Sequence, residues 1–289
     1  MSPSGKAGPV PVDTIRELRR ALDMERRVHR TVGFVPTMGF LHEGHASLMR
    51  RAAEETDVVV ASIFVNPLQF GPTEDLGAYP RDLARDTEIA AASGVDLLFV
   101  PDVREMYPQP VLTTVDVGGL SDRFDGESRP GHFAGVATVV AKLFNIVGAS
   151  KAYFGEKDFQ QLAVVRRMAA DLSSPVEVVG CATVRDPDGL ALSSRNSYLT
   201  PDERAAAPVV HQALQAGVAA VQSGDRDPAS VRAQMADVVA KEPLAELDYV
   251  AVVEADSLAV PEALSGKLRL LAAVRLGRAR LIDNVGVTA

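Results

Sequence analysis

The chain has 289 residues, 47% of them hydrophobic and 24% charged, and carries a formal net charge of −8. That length holds one large domain or two moderate ones of ordinary globular composition. The acidic balance argues against a general nucleic-acid or membrane surface, so anionic ligands must be met by local donors. The single cysteine, Cys181, rules out an intrachain disulfide and suits a reducing cytoplasm. It reads better as a small buried apolar residue ending a strand than as a reactive thiol. No run approaches the roughly 20 apolar residues that span a bilayer. The start, Met1 to Pro11, is rich in Gly, Pro and Ser, lacks the apolar core of a secretory signal, and is expected to be poorly ordered.

In chain order, Val12 to Glu25 has helical spacing, with Ile15, Leu18 and Leu22 on one face and arginines on the other. An apolar strand, Val32 to Val35, then meets Pro36-Thr37-Met38-Gly39, and two histidines three apart, His42 and His45, enter an amphipathic helix. A helix start there offers N–H groups and a positive dipole end, a ready phosphate site. His42 and His45 fall near one face, and Gly44 lets a ligand approach the backbone. The continuous apolar run Val58 to Val65 suits a strand buried on both faces, and it ends in the polar turn Asn66 to Gly71. A helix over Arg81–Ser93, a buried strand over Val95–Val100 and a short strand over Thr113–Val117 follow. Next come a long apolar helix over Gly131–Val147, a strand over Lys151–Phe154, a helix over Gln160–Leu172 and a strand over Val176–Val179.

This alternation predicts an α/β fold, a doubly wound parallel sheet over residues 1–183. Ligands of such sheets bind beyond the carboxyl ends of the strands, where His42/His45, Asn66/Gln69 and Lys157/Asp158 all fall. Residues 184–289 read as a smaller α+β domain. It opens with the turn Arg185-Asp186-Pro187-Asp188-Gly189. A helix over 201–222 starts at Thr200 as N-cap, with Pro201 first inside and Glu203 completing a capping box. A helix over 228–240 and strands over Asp248–Glu254, Leu268–Arg275 and Ala279–Val287 complete it. Arg269, Arg275, Arg278 and Arg280 mostly alternate with apolar residues, so a solvated strand face is a better reading than an anion patch.

His42 and His45 have no nearby Cys, Asp or His to complete a metal site. In a Gly-containing strand–helix turn they read as donors to a nucleotide triphosphate. Gln69 and Gln161, taken alone, are ordinary polar residues, and Ser193-Ser194-Arg195 alone is a polar loop. Arg129-Pro130-Gly131-His132-Phe133 either lines the site or merely precedes a helix.

His-x-Gly-His after a first strand resembles the signature of the nucleotidyltransferase superfamily that includes the class I tRNA synthetases. The fuller string Pro36-Thr37-Met38-Gly39-Phe40-Leu41-His42-Glu43-Gly44-His45 resembles the pantothenate synthetase (pantoate–β-alanine ligase, AMP-forming) family. The resemblance runs from Val35 through Asn196 and more loosely to the end. Phe40 departs from it, standing where a small residue is expected, which bears on how the loop packs over the nucleotide. The resemblance implies a Rossmann-like ATP- and pantoate-binding domain, with the smaller domain closing over the site. It implies ATP binding by Met38, Gly39, His42, His45, Gly155, Lys157, Asp158, Val184, Leu192, Ser193, Ser194 and Arg195, with His45, His42 and Lys157 catalytic. Asn66, Gln69 and Gln161 would hold pantoate or β-alanine; glutamine suits a hydroxyl-bearing substrate because it donates and accepts.

The implied reaction joins (R)-pantoate and β-alanine through pantoyl adenylate, releasing pyrophosphate and AMP, in the cytoplasm, by a homodimer. Mg²⁺ would arrive with ATP; Asp86, flanked by Arg85 and Ile89, is not assigned a protein-held ion. The partners expected are small molecules, with no nucleic acid and no membrane. A loop near 66–80 or 185–195 is expected to close and shield the intermediate from water. Two other readings remain at this level. One is a nucleotidyltransferase acting on a phosphate-bearing acceptor, which would want several Arg or Lys where Gln69 and Gln161 stand. The other is a non-catalytic nucleotide binder, which joint retention of His42, His45, Lys157 and Arg195 opposes.

Overall fold

A computed structural model describes residues 8–71 and 76–289. The chain forms two compact units, one of residues up to Gly155 plus Gln161–Cys181, the other of Glu156–Gln160 plus Ala182–Ala289.

The first unit is a six-stranded parallel sheet with helices on both faces. Its strands are β1 (Val10–Val12), β2 (Val32–Thr37), β3 (Val58–Ile63), β4 (Leu97–Phe99), β5 (Ser150–Gly155) and β6 (Val176–Cys181), in the order β1-β4-β3-β2-β5-β6. Its helices are α1 (Ile15–Arg27), α2 (Glu43–Glu55), α3 (Leu83–Ala92), the short turns α4 (Val103–Met106) and α5 (Asp125–Ser128), α6 (His132–Val147) and, from Gln161 on, α7 (Phe159–Asp171). Strand alternation fills both faces. Phe34 and Val60 join the α1/α6/α7 side with Leu18, Leu22, Phe144 and Leu162. Val35, Val59 and Ala61 join the other side with Leu41, Met49 and Ala90. From β2 the chain winds outward through β3 and β4, then returns to place β5 on the opposite flank of β2. The sheet therefore has a switch point between β2 and β5, the crevice where parallel α/β sheets take ligands.

Several elements differ from expectation. Val10–Val12 is not loose: it pairs with Leu97–Phe99 as an edge strand, while Met1–Ala7 lie outside the described residues. Thr113–Val117 alternates like a strand but joins no sheet among the described residues; the Val115 N–H donates to Thr138 Oγ1 at 2.9 Å. The expected helix over 201–222 is two, because Pro208 has no N–H and cannot continue the first. Cys181 is buried at the end of β6, as read.

The second unit packs α8 (Pro201–Ala206), α9 (Val209–Gln222) and α10 (Pro228–Val239) with an antiparallel sheet of β7 (Ala245–Glu254), β8 (Lys267–Leu276) and β9 (Ala279–Thr288). Thr200 and Glu203 form the anticipated capping box. Leu268, Leu270, Ala272 and Val274 face the helices. The opposite face of β8 is buried too, at Leu271 and Ala273, which corrects the solvated reading for two arginines. Arg269 pairs with Glu156 and Arg280 with Asp248, their side chains only 13% and 15% exposed. Arg275 and Arg278 are exposed.

Candidate active site

β2 ends at Thr37, whose hydroxyl donates to Ser62 O at 2.7 Å and accepts from Gly39 N at 3.2 Å. Two left-handed residues follow, Gly39 (φ 85°) and Phe40 (φ 52°). A Cβ at position 39 would sit 3.0 Å from both Asp86 Oδ2 and Ile63 Cγ2, so the turn needs glycine for space as well as for φ. Asp86, 1% exposed, accepts from Phe40 N at 2.8 Å and Leu41 N at 2.6 Å. Burial pushes its carboxyl above the ordinary value, an effect the two amides offset in part. Its oxygens thus serve the turn.

His42 is the N-cap of α2. Its Nδ1 accepts from Gly44 N at 3.2 Å, and His45 Nδ1 takes the N–H of His42 at 3.4 Å, a capping box built from imidazoles. Because each Nδ1 faces a main-chain donor, the proton of each neutral ring belongs on Nε2. The rings lie 4.1 Å apart at 44°. His45 N and Ala46 N both reach His42 O. The helix start is therefore largely satisfied by its own residues, contrary to the expectation of open amides, and the two rings are held in place by the helix they cap.

After β3, a 3-10 turn at Pro67–Gln69 carries Asn66 and Gln69, 1% and 9% exposed. Asn66 Oδ1 accepts from Tyr107 Oη at 2.9 Å and Leu68 N at 3.3 Å. Asn66 Nδ2 donates to Gln69 Oε1 at 3.2 Å and Gly135 O at 3.1 Å. All four of its hydrogen-bonding positions are used. Gln69 Nε2 lies 3.0 Å from Met38 Sδ, joining this turn to the signature turn. His132, at the start of α6, has Nδ1 2.9 Å from Gln69 O and Nε2 2.9 Å from Arg129 Nη1. Since guanidinium only donates, Nδ1 carries the ring proton. A Cβ on Gly135 would come within 2.2 Å of Leu68 O, so glycine permits α6 to approach this turn. Gln161 lies in the first turn of α7, half-buried.

In the second unit, Glu156–Asp158 form a 3-10 turn directly after Gly155. The Lys157 ammonium is 3.7 Å from Asp158 Oδ1, with its side chain 15% exposed. Residues 184–192 make a small hairpin, with Leu192 N donating to Val184 O at 2.9 Å and Asp186 N to Leu190 O at 2.8 Å. Arg204 clasps its turn through Asp186 and Asp188. Ser193 caps the next 3-10 turn, Ser194–Tyr198, by accepting from Arg195 N at 3.3 Å. Lys157, Ser193 and Asn196 line one small cavity with His211 and Asp283.

Lys157, Asp158, Val184, Leu192, Ser193, Ser194 and Arg195 thus lie in one unit; Met38, Gly39, His42, His45, Asn66, Gln69, Gly155 and Gln161 lie in the other. Sequence reasoning missed Tyr107, Gly135 and the holding role of Asp86. It also missed Asp283 and Asn284, although two polar residues interrupting the apolar run Leu281-Ile282…Val285 are a legible signal. His211, on α9, has Nδ1 3.8 Å from Asp283 Oδ2.

A family model described as pantoate-beta-alanine ligase matches residues 11–286. The chain is 56% identical over 274 residues to a pantothenate synthetase of Sinorhizobium medicae, covering 94% of each. It is 54% identical over 276 residues to one of Heliobacterium modesticaldum, covering 96% of this chain and 98% of that one. A crystal structure of pantothenate synthetase from Thermus thermophilus superposes with a TM-score of 0.92 at 50% identity, over 97% of this chain and all of the other. A pantoate-beta-alanine ligase of Francisella tularensis, complexed with beta-gamma ATP and beta-alanine, superposes with a TM-score of 0.79 at 33% identity, over 96% and 97%.

Proposed function

The chain belongs to the pantoate–β-alanine ligase family and is an ATP-dependent ligase of pantoate and β-alanine; we propose that it works through an acyl adenylate, with His42 and His45 as donors to the triphosphate. A carboxylate oxygen of (R)-pantoate attacks the α-phosphorus of ATP, the bond to the β-phosphate oxygen breaks, and pyrophosphate leaves. The amine nitrogen of β-alanine then attacks the acyl carbon, the bond to the AMP oxygen breaks, and the nitrogen loses a proton. Neither step needs a protein nucleophile; both need positioning and charge stabilisation.

The observation that carries this reading is the pair of imidazoles whose Nδ1 atoms are occupied by their own helix. That holds both rings in a preset orientation and puts the proton of the neutral form on Nε2, an arrangement suited to oxygens that gain charge in the transition state. Lys157 neutralises phosphate charge, with Ser193, Ser194 and Arg195 as further phosphate donors. Met38, Gly39, Gly155, Asp158, Val184 and Leu192 complete the ATP contacts. Gln69 and Gln161 meet the hydroxyls of pantoate. Asn66, its amide fully engaged, acts by holding Gln69. Mg²⁺ enters bound to the phosphates of ATP and water, since the Asp86 oxygens already serve two amides. The enzyme acts in the cytoplasm, where ATP is made.

A homodimer accords with the extended segment Val111–Val117, which joins no sheet among the described residues and exposes 95% of Leu112. Sedimentation of Leu112→Asp against wild type tests this: the variant shifts toward monomer. The loop at 185–195 closes during turnover, so its amide exchange slows with ATP and pantoate. The other loop expected to close, 66–80, includes residues 72–75, which lie outside the described residues.

Pyrophosphate release from ATP is expected with pantoate alone, and AMP with all three substrates. AMP formed on a phosphorylated acceptor in place of pantoate would sink the reading. His45→Ala is expected to slow pantoate-dependent pyrophosphate release about 100- to 1,000-fold. Turnover at the wild-type rate would remove the role given to that ring.

A further inference from the structure

The turn carrying Lys157 is held from the far end of the chain. Asn284, on β9 and 4% exposed, donates through Nδ2 to Glu156 O and Lys157 O, both at 2.8 Å. Its Oδ1 accepts from Arg269 Nε at 2.7 Å. The same guanidinium pairs with Glu156 Oε2 at 2.8 Å and lies 4.1 Å over the Phe159 ring. One amide group thus fixes two consecutive carbonyls, which sets the orientation of the peptide between them and the direction in which the Lys157 side chain leaves the backbone.

The preceding residue extends the arrangement. Asp283, 5% exposed, accepts from Asn284 N at 2.7 Å. It also receives the Arg185 fork at 2.5 and 2.9 Å, and Arg185 in turn donates to Gly189 O at 3.1 Å. Two adjacent residues of β9 therefore tie down the Lys157 turn and the hairpin that leads into Ser193–Arg195.

We propose that Asn284 is a positioning residue for adenylate formation, setting the Lys157 ammonium for phosphate by capturing the carbonyls of Glu156 and Lys157 without touching substrate. This rests on the reading of Lys157 as a phosphate donor. Asparagine suits the task because its NH₂ has two donors for two acceptors. Aspartate, of the same shape, would set oxygen against both carbonyls, and alanine would leave both unheld.

The test uses the full-length enzyme and its Asn284→Ala, Asn284→Asp and Lys157→Ala variants. Pantoate-dependent ATP–pyrophosphate exchange reports adenylation, and aminolysis of preformed pantoyl adenylate by β-alanine reports the second step, each per active site titrated. Exchange in Asn284→Ala is expected to fall about 10- to 100-fold, as misplacement of a reacting group by about 1 Å does. The KM for ATP should rise while that for β-alanine stays within about twofold, and Asn284→Asp should be worse than Asn284→Ala. A lowered melting temperature with wild-type exchange per site would make Asn284 merely structural and overturn the proposal. Wild-type exchange in Lys157→Ala would overturn the underlying reading of Lys157, and the proposal with it. Impaired Lys157→Ala beside intact Asn284→Ala would overturn the positioning role alone. Should Asn284→Asp fail to fold, Arg269→Gln, which leaves the two amide donors in place, is expected to show the same split in weaker form; equal slowing of both steps there would also overturn it.

Discussion

The turn after β2 and the turn after β5 are each held by one buried side chain that reaches two successive main-chain groups, but with opposite chemistry. Asp86 offers a charged acceptor to the amides of Phe40 and Leu41. Asn284 offers a neutral donor to the carbonyls of Glu156 and Lys157. The charged solution gives stronger hydrogen bonds at the cost of desolvating a carboxylate, and that makes it sensitive to pH. The neutral one is indifferent to pH in itself, and its sensitivity is displaced one residue along, to the Asp283–Arg185 pair.

Breaking the charged clamp has the largest expected effect. Asp86→Ala leaves two buried amides without acceptors, each costing about 1–3 kcal/mol, so the denaturation midpoint of the first unit should fall well below wild type. The pH test uses Asp86→Asn. The folded pKa of Asp86 is raised, so its contribution to stability is full below the ordinary value of about 3.9 and is lost as pH rises through the folded value. Wild type should therefore lose stability on raising the pH across that interval, and Asp86→Asn should lack that component. An unchanged slope in urea titrations would mean the carboxyl is not desolvated as described.

Asp283 should slope the other way. Burial pushes its carboxyl up, but the neighbouring His211 and the Arg185 fork more than offset this and hold it below the usual range. With a depressed folded pKa, its contribution is present above about pH 3.9 and is lost as pH falls through the folded value. Asp283→Asn leaves the Arg185 guanidinium without its counter-charge and should destabilise the second unit by about 3 kcal/mol at pH 7. It should also remove the acid-side fall. A variant as stable as wild type at pH 7 would show that the pair contributes nothing net.

The same contrast explains how much the sequence disclosed. The alternation of strands and helices in the first unit, the strand–turn–helix around His42 and the capping box at Thr200 were legible, because each depends on residues within one element or one turn of it. Residues that act across the chain were not. Asp86 lies 45 positions beyond Leu41, and Asn284 lies 127 beyond Lys157. A local pattern shows only that each is polar. Arg269 was misread for the same reason: alternation gives its face on β8, but only the pairing with Glu156 and Asn284 shows that this face is covered there. Thr113–Val117 failed conversely, since strand propensity supplies no neighbour to pair with.

Phe40 gives the smallest effect and the finest test of the first clamp. It holds φ 52°, a conformation that costs an L-residue roughly 1–2 kcal/mol and glycine almost nothing. In return its ring receives the Arg85 guanidinium 5.3 Å from the centroid, worth about 0.5–1 kcal/mol at an exposed site. Phe40→Ala keeps the strain and loses the ring, so it should be destabilised by about 1 kcal/mol. Phe40→Gly loses the ring and the strain together but frees the unfolded chain by about 0.4–1 kcal/mol, so it should lie within about 1 kcal/mol of wild type and above Phe40→Ala. If alanine proves the more stable of the two, the backbone at this position is not under strain, and the Asp86 carboxylate is accepting amides from a turn that would adopt this shape without it.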